Sequence, residues 1–149
     1  MSRADGLDRH LRVVLHIITA FLGLQFLAGM ILNTYVTLPA YSESSLLKGM
    51  ASQPWLLVHV VFGIVTFLSA IAAVIITIRG RLPLDVIILN SLSAASILAA
   101  GIFGLEFLMS QRPIDSLAMA LFWLISFGFV GFSQSSIRTA TGRQRIKNP

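Results

Sequence analysis

Apolar positions dominate the chain in four unbroken stretches, 13–38, 55–78, 84–109 and 116–137, parted by short polar segments that carry a proline, a charge or both. A helix rising ~1.5 Å per residue needs about 20 residues to cross a ~30 Å hydrocarbon core, and each stretch exceeds that length. The pattern predicts an all-α integral membrane protein, an antiparallel bundle of four transmembrane helices. The first stretch follows several arginines, as a signal peptide would. It is too long for an h-region and no small-x-small site follows it, so it reads as a retained anchor.

Prolines stand at the borders of the stretches, at Pro39, Pro54, Pro83 and Pro113, and never inside one. The last three mark helix starts, where the missing N–H costs little. The spans therefore read as continuous, without the broken helices by which many transporters hold substrate or ions. Only the first outer loop, 40–53, has any length, and 46–50 within it reads as a short segment along the membrane surface. The tight connection between the second and third stretches makes those two antiparallel neighbours.

Small and weakly polar residues recur at alternating steps of three and four. The second span has His59, Gly63, Thr66, Ala70, Ala73 and Thr77; the third has Asn90, Ala94, Ile97, Gly101 and Gly104; the first has His16, Thr19, Gly23, Met30 and Thr34. Such spacing places each set on one helix face. Small faces let membrane helices approach closely, so these three are the expected packing faces, with Leu, Ile, Val and Phe left for lipid.

Charge sets the orientation. Arg3, Arg9 and Arg12 precede the first span, Arg79 and Arg81 join the second to the third, and Arg138, Arg143, Arg145 and Lys147 follow the fourth. Only Lys48 and Arg112 fall on the other side. By the positive-inside rule both termini are expected to be cytoplasmic. The domain reading is a basic N-terminal segment 1–12, a membrane domain 13–137 and a basic tail 138–149. The tail cations Arg138, Arg143, Arg145 and Lys147 suit anionic headgroups. No aromatic residues are interleaved with them to stack on bases, so no nucleic-acid partner is expected.

Composition agrees: 56% of residues are hydrophobic and 11% charged, less than half the roughly 25% of soluble domains. There is no cysteine, which removes disulfides, thiolate metal sites and thiol redox chemistry.

Ionisable residues at membrane depth are the usual functional candidates. Here they are His16, His59 and Glu106. An outer-leaflet polar cluster of Asn33, Tyr35, His59, Glu106 and Asp115 is expected, with Arg112 and Ser116 nearby. His59 is the candidate cofactor ligand, and haem the cofactor to consider, since a haem needs an axial imidazole and room for its ring. Its usual partner would be a second histidine at the same depth. Along antiparallel helices, His16 and His59 would stand roughly 25–30 Å apart. A His59–Glu106 pair could relay protons or hold a quinone-like ligand, although Glu106 projects about 160° from the face that Asn90 marks. No metal site is expected from two outer ligands without HxxxH or HxxE spacing. Gln25, Asn90, Ser91, Ser93, Ser96, Ser126 and Gln134 read as interhelical hydrogen-bonding residues. No serine has a base and acid at credible spacing, so no catalytic residue is assigned.

The order Gly29-Met30-Ile31-Leu32-Asn33 through Pro39, then His59 with Gly63, then Glu106-Phe107-Leu108 and Asp115-Ser116, resembles a pattern of small prokaryotic four-span proteins, and the topology alone is similar to one half of a haem A synthase. That resemblance implies a four-helix unit. The family's paired histidines on neighbouring helices have no counterpart in this chain.

The function expected from these features is that of a small non-catalytic membrane protein, an accessory or scaffolding subunit whose partners are the bilayer and other membrane chains or copies of itself. A redox module that binds haem or quinone at His59 is the alternative, and a small proton-coupled transporter using Glu106 is another.

Overall fold

In the computed structural model, residues 3–36, 39–42 and 44–147 are described; the side chains of 3–8, 34 and 138–147 lie outside that description. Five helices form, α1 (Arg3–Tyr35), α2 (Leu46–Ser52), α3 (Pro54–Arg79), α4 (Leu84–Ser110) and α5 (Pro113–Lys147), with no strand among the described residues. Four of them contain segments long and apolar enough to cross a membrane: Arg9–Asn33, Pro54–Arg79, Leu84–Ser110 and Pro113–Ile137. A multi-pass membrane protein is the architecture these lengths support.

The helix borders follow the prolines more closely than the polarity. Pro54 and Pro113 open α3 and α5, and Pro83 immediately precedes α4. Helix α1 stops at Tyr35, short of the expected 38; Thr37 and Leu38 lie outside the described residues. At the chain-terminal ends of α1 and α5 nothing breaks the helix, so the backbone of α1 is helical from Arg3 and that of α5 to Lys147. The segments read as a basic N-terminal segment and a basic tail are in large part helical continuations of α1 and α5. The side chains of Arg138, Arg143, Arg145 and Lys147 lie outside the described residues.

The α3–α4 connection is a complete helix stop. Leu82 N–H donates to the Thr77 carbonyl at 3.1 Å, and Arg81 N–H to the Ile78 carbonyl at 3.1 Å. This paired pattern is the Schellman motif, whose penultimate residue must be left-handed. Arg81 fills that role with φ 49°, although Gly80 stands one residue earlier.

Helix α1 packs on α3, α3 on α4, α4 on α5, and α5 back on α1, while α2 lies on α3. Two apolar clusters fill the interior. The larger joins Leu11, Leu15, Ile18 and Leu22 of α1 to Ala70 and Ala73 of α3, Val86, Ala94 and Ile97 of α4, and Val130 and Ile137 of α5. The smaller, at the other end, joins Leu32, Met50, Leu56 and Leu108 under Tyr41 and Leu46. Helix α2 is thus a plug: Met50 reaches down between the ends of α1, α3 and α4.

The stripes predicted for α3 and α4 coincide with buried faces at Thr66, Ala70, Ala73 and Thr77, and at Asn90, Ala94 and Ile97. The α1 stripe does not. His16 and Met30 are exposed, and a Cβ on Gly23 would meet nothing within 4 Å. The buried face of α1 is Leu11, Leu15, Ile18 and Leu22, which are all but inaccessible. Volume explains the correction. The alanines of α3 leave room that large leucines fill, so a small face on one helix calls for a large face on its neighbour.

Candidate functional site

Between the levels of the two apolar clusters the helices carry glycines and polar side chains. On α1 this interval holds Gln25 and Gly29, on α3 His59 and Gly63, and on α4 Gly101 and Gly104. Three of these glycines receive a side chain from the facing helix. A Cβ on Gly29 would stand 3.4 Å from His59 Cε1, one on Gly63 2.9 Å from Gln25 Nε2, and one on Gly104 3.2 Å from Met119 Sδ. The α1–α3 exchange is reciprocal: each helix sends one polar side chain onto the other's glycine.

The polar atoms so seated are left incomplete. Gln25 Oε1 and His59 Nδ1 are shielded from the surroundings and have no hydrogen-bond partner. Each orphan of this kind costs on the order of 1–3 kcal/mol. His16 shows the ordinary solution for a helical histidine, donating from Nδ1 to its own helix's Arg12 carbonyl at 2.6 Å. His59 does not take it.

The sequence-derived outer cluster divides into two. Arg112 joins its acidic members: Nε donates to Asp115 Oδ2 at 2.9 Å, Nη2 to Asp115 Oδ1 at 3.3 Å, and Nη2 lies 4.0 Å from Glu106 Oε2. Ser110 Oγ also donates to Asp115 Oδ2, at 2.6 Å. Arg112 and Asp115 sit in a fork geometry that favours such pairs, and Asp115 lies in the first turn of α5, where a negative charge suits the helix dipole. The group locks the α4–α5 turn. Asn33 and Tyr35 are exposed and make no hydrogen bond to it, and His59 shares no ion pair or hydrogen bond with Glu106, among the described residues.

The interhelical hydrogen-bonding residues also divide. The hydroxyls of Ser93 and Ser126 bond at 2.9 Å inside the α4–α5 contact. Gln134 Nε2 donates to Thr19 Oγ1 at 2.9 Å and to the Leu15 carbonyl at 3.2 Å. Ser91 turns back to its own Ile87 carbonyl, and Asn90 Nδ2 and Ser133 Oγ are buried without partners. A bond that the sequence did not suggest runs from Trp123 Nε1 to the Leu22 carbonyl at 2.9 Å. An indole inside a span needs an acceptor, and that need was the one available signal.

A bis-histidine haem does not fit within one chain. Gly29 marks the level of His59 on α1, and His16 lies 13 residues below it, about 20 Å along the helix. The figure is shorter than the span borders imply because α1 ends early, yet far too long for two axial ligands on one iron. His10 lies farther still along α1. Among the described residues no group of three or more His, Cys, Asp or Glu side chains converges.

No family model matches the chain, and neither a curated protein nor a solved structure matches it.

Proposed function

We propose that this chain is a non-catalytic subunit of a larger membrane assembly, crossing the bilayer as an antiparallel four-helix bundle with both termini cytoplasmic. The contact registers support the antiparallel arrangement. On α1, Gln25 and Gly29 face Gly63 and His59 in reversed order, and on α4, Ser93 and Gly104 face Ser126 and Met119 likewise. Leu22 and Leu15 of α1 meet Trp123 and Gln134 of α5 in the same sense. The distribution of Lys and Arg, nine on one side and two on the other, supports the orientation.

The subunit reading is carried by the outward glycines. A Cβ on Gly23, Gly128 or Gly131 would meet nothing within 4 Å, so these residues do not serve the packing of this chain. Glycine in a helix interior costs about 1 kcal/mol relative to alanine. Facing lipid it has nothing to offset that cost, whereas against a second helix it allows close backbone approach.

The test is native mass spectrometry of the full-length chain released in mild detergent. An assembly heavier than the 16.2 kDa chain is expected, reduced to single chains by Gly131→Leu with helicity and melting unchanged. A single chain throughout, including after cross-linking within the membrane, would refute the proposal.

A further inference from the structure

The most exposed large apolar side chains among the described residues are not on the spans. They are Tyr35, 81% exposed, and Leu47, 77% exposed, and both stand beyond the span borders at Asn33 and Pro54. Trp55, the second residue of α3, is exposed at the same end.

Two contacts fix how α2 lies there. Met50 is buried with Leu32, Leu56 and Leu108, so its side of α2 points down into the bundle. Gly49 meets the Tyr41 ring, and Tyr41 is bonded to the Leu108 carbonyl, so that flank points across the bundle towards α4. At 100° per residue, Leu47 lies about 60° from Met50 and about 160° from Gly49. It therefore faces downward and outward, on the flank turned away from α4. Lys48 and Ser52 each lie about 160° from Met50, exposed on the upper face.

We propose that α2 is an interfacial anchor: Leu47 enters the acyl boundary of the adjoining leaflet, and Lys48 binds the phosphate of a phospholipid headgroup there.

Depth supports the apolar half of this contact. Helix α2 ends at Ser52 and the span of α3 begins at Pro54, so α2 lies level with the border between hydrocarbon and headgroups. A helix lying in that plane sinks its apolar side about 5–10 Å into the boundary. Tyrosine and tryptophan favour the same layer, where the ring is apolar and its polar edge wet. Tyr35 and Trp55 thus mark the level at which Leu47 meets lipid.

Charge supports the polar half. Lys48 and Arg112 are the cations of this end. Arg112 is taken up by Asp115 and Glu106, whereas no carboxylate pairs with Lys48 among the described residues. An ammonium is a compact charge with three donors, suited to phosphate oxygens, and its aliphatic stem can lie along the apolar layer beneath. The lipid need not carry net charge, since every phospholipid headgroup offers the phosphate. The proposal rests on the four-span membrane reading and not on the subunit reading.

The test uses the full-length protein in phospholipid liposomes and phosphate-free buffer, so that any phosphate met is lipid. With ¹⁵N-lysine and Lys147→Gln, Lys48 is the one labelled side chain. Dephasing of its Nζ signal by ³¹P in solid-state NMR is expected, and its loss in Leu47→Gln. A spin label at Leu47→Cys should be relaxed more by oxygen, which concentrates among acyl chains, than by a water-soluble nickel chelate. At Ser52→Cys the order should reverse. Circular dichroism identifies any variant that has not folded; the Lys48 signal with Leu47 intact and the Leu47→Cys label then decide. No dephasing in the folded protein, or dephasing that persists in folded Leu47→Gln, would overturn the proposal. So would relaxation at Leu47→Cys that favours the nickel chelate, since α2 would then face water.

Discussion

Tyr41 N–H donates to the carbonyl of Leu108 at 3.0 Å, so the chain that leaves α1 caps the far end of α4. Leu108 is in the last turn of α4, where carbonyls have no partner within the helix. The Gln111 side chain reaches the same oxygen at 3.4 Å. One backbone bond thus fastens the plug to the bundle, and the Tyr41 ring then lies across α2 at Gly49.

That ring makes Gly49 intolerant of any side chain. A Cβ there would collide with three atoms of the Tyr41 ring. Gly49→Ala should lower stability by about 1–3 kcal/mol, the usual cost of overpacking, even though alanine is the better helix former. In a Tyr41→Ala background the same substitution should become neutral or favourable. Thermal unfolding of the four variants in detergent checks this, and equal costs in both backgrounds would show that the ring is not the obstacle.

The Ser93–Ser126 bond is the one side-chain pair buried wholly inside the α4–α5 contact among the described residues. Removing one hydroxyl leaves the other without a partner in a dry interior. Each single alanine variant should therefore cost about 0.5–2 kcal/mol. The double variant removes both polar groups and should cost less than the sum of the singles. A double-mutant cycle on unfolding free energies measures the coupling, and strict additivity would mean that the bond contributes nothing.

What could be read from the sequence was what composition and periodicity determine. Four lengths of apolar chain, with Pro54, Pro83 and Pro113 at their starts, place the helices, because the bilayer imposes a length and proline a border. The small faces of α3 and α4 were legible for the same periodic reason. The face of α1 was not: Leu11, Leu15, Ile18 and Leu22 look like a lipid-facing surface, and only the alanines opposite turn them inward. His59 stood out as an ionisable residue at depth. Gln25 was legible as an interhelical polar residue, but its seat was not, because that seat is made by Gly63 on another helix. The pairing of helices decides such contacts, and no single stretch encodes it. The plug likewise needed the fold, since a seven-residue helix has no period long enough to show which face it buries.

Arg81 offers a substitution expected to stabilise. It holds the left-handed position of the α3 stop with φ 49°, a conformation that costs a side chain roughly 1 kcal/mol and glycine almost nothing. Arg81→Gly should raise the unfolding free energy by up to about that amount, less the entropy that glycine adds to the unfolded chain. Arg81→Val, branched at Cβ, should lower it. The two shifts in melting temperature should have opposite signs. A loss of stability in Arg81→Gly would mean that the guanidinium, not the backbone, matters at this turn.

Orientation can be measured without background, because the chain contains no cysteine and a single introduced thiol is the only reactive one. Ser44, in the exposed turn before α2, and Arg81, exposed between α3 and α4, stand at opposite ends of the spans. With both termini cytoplasmic, Ser44→Cys should react with a membrane-impermeant maleimide on intact cells, and Arg81→Cys only after lysis. The reverse pattern would invert the bundle and contradict the nine-to-two distribution of cations. Labelling of both from one side would break the four-span topology itself. Because Arg79 and Arg81 sit in one short connection, replacing both with Gln removes the inner anchor of the α3–α4 pair. The expected outcome is a mixed population in which part of the Ser44→Cys chains are labelled only after lysis. An unchanged pattern would place the orientation signal in the basic ends of α1 and α5.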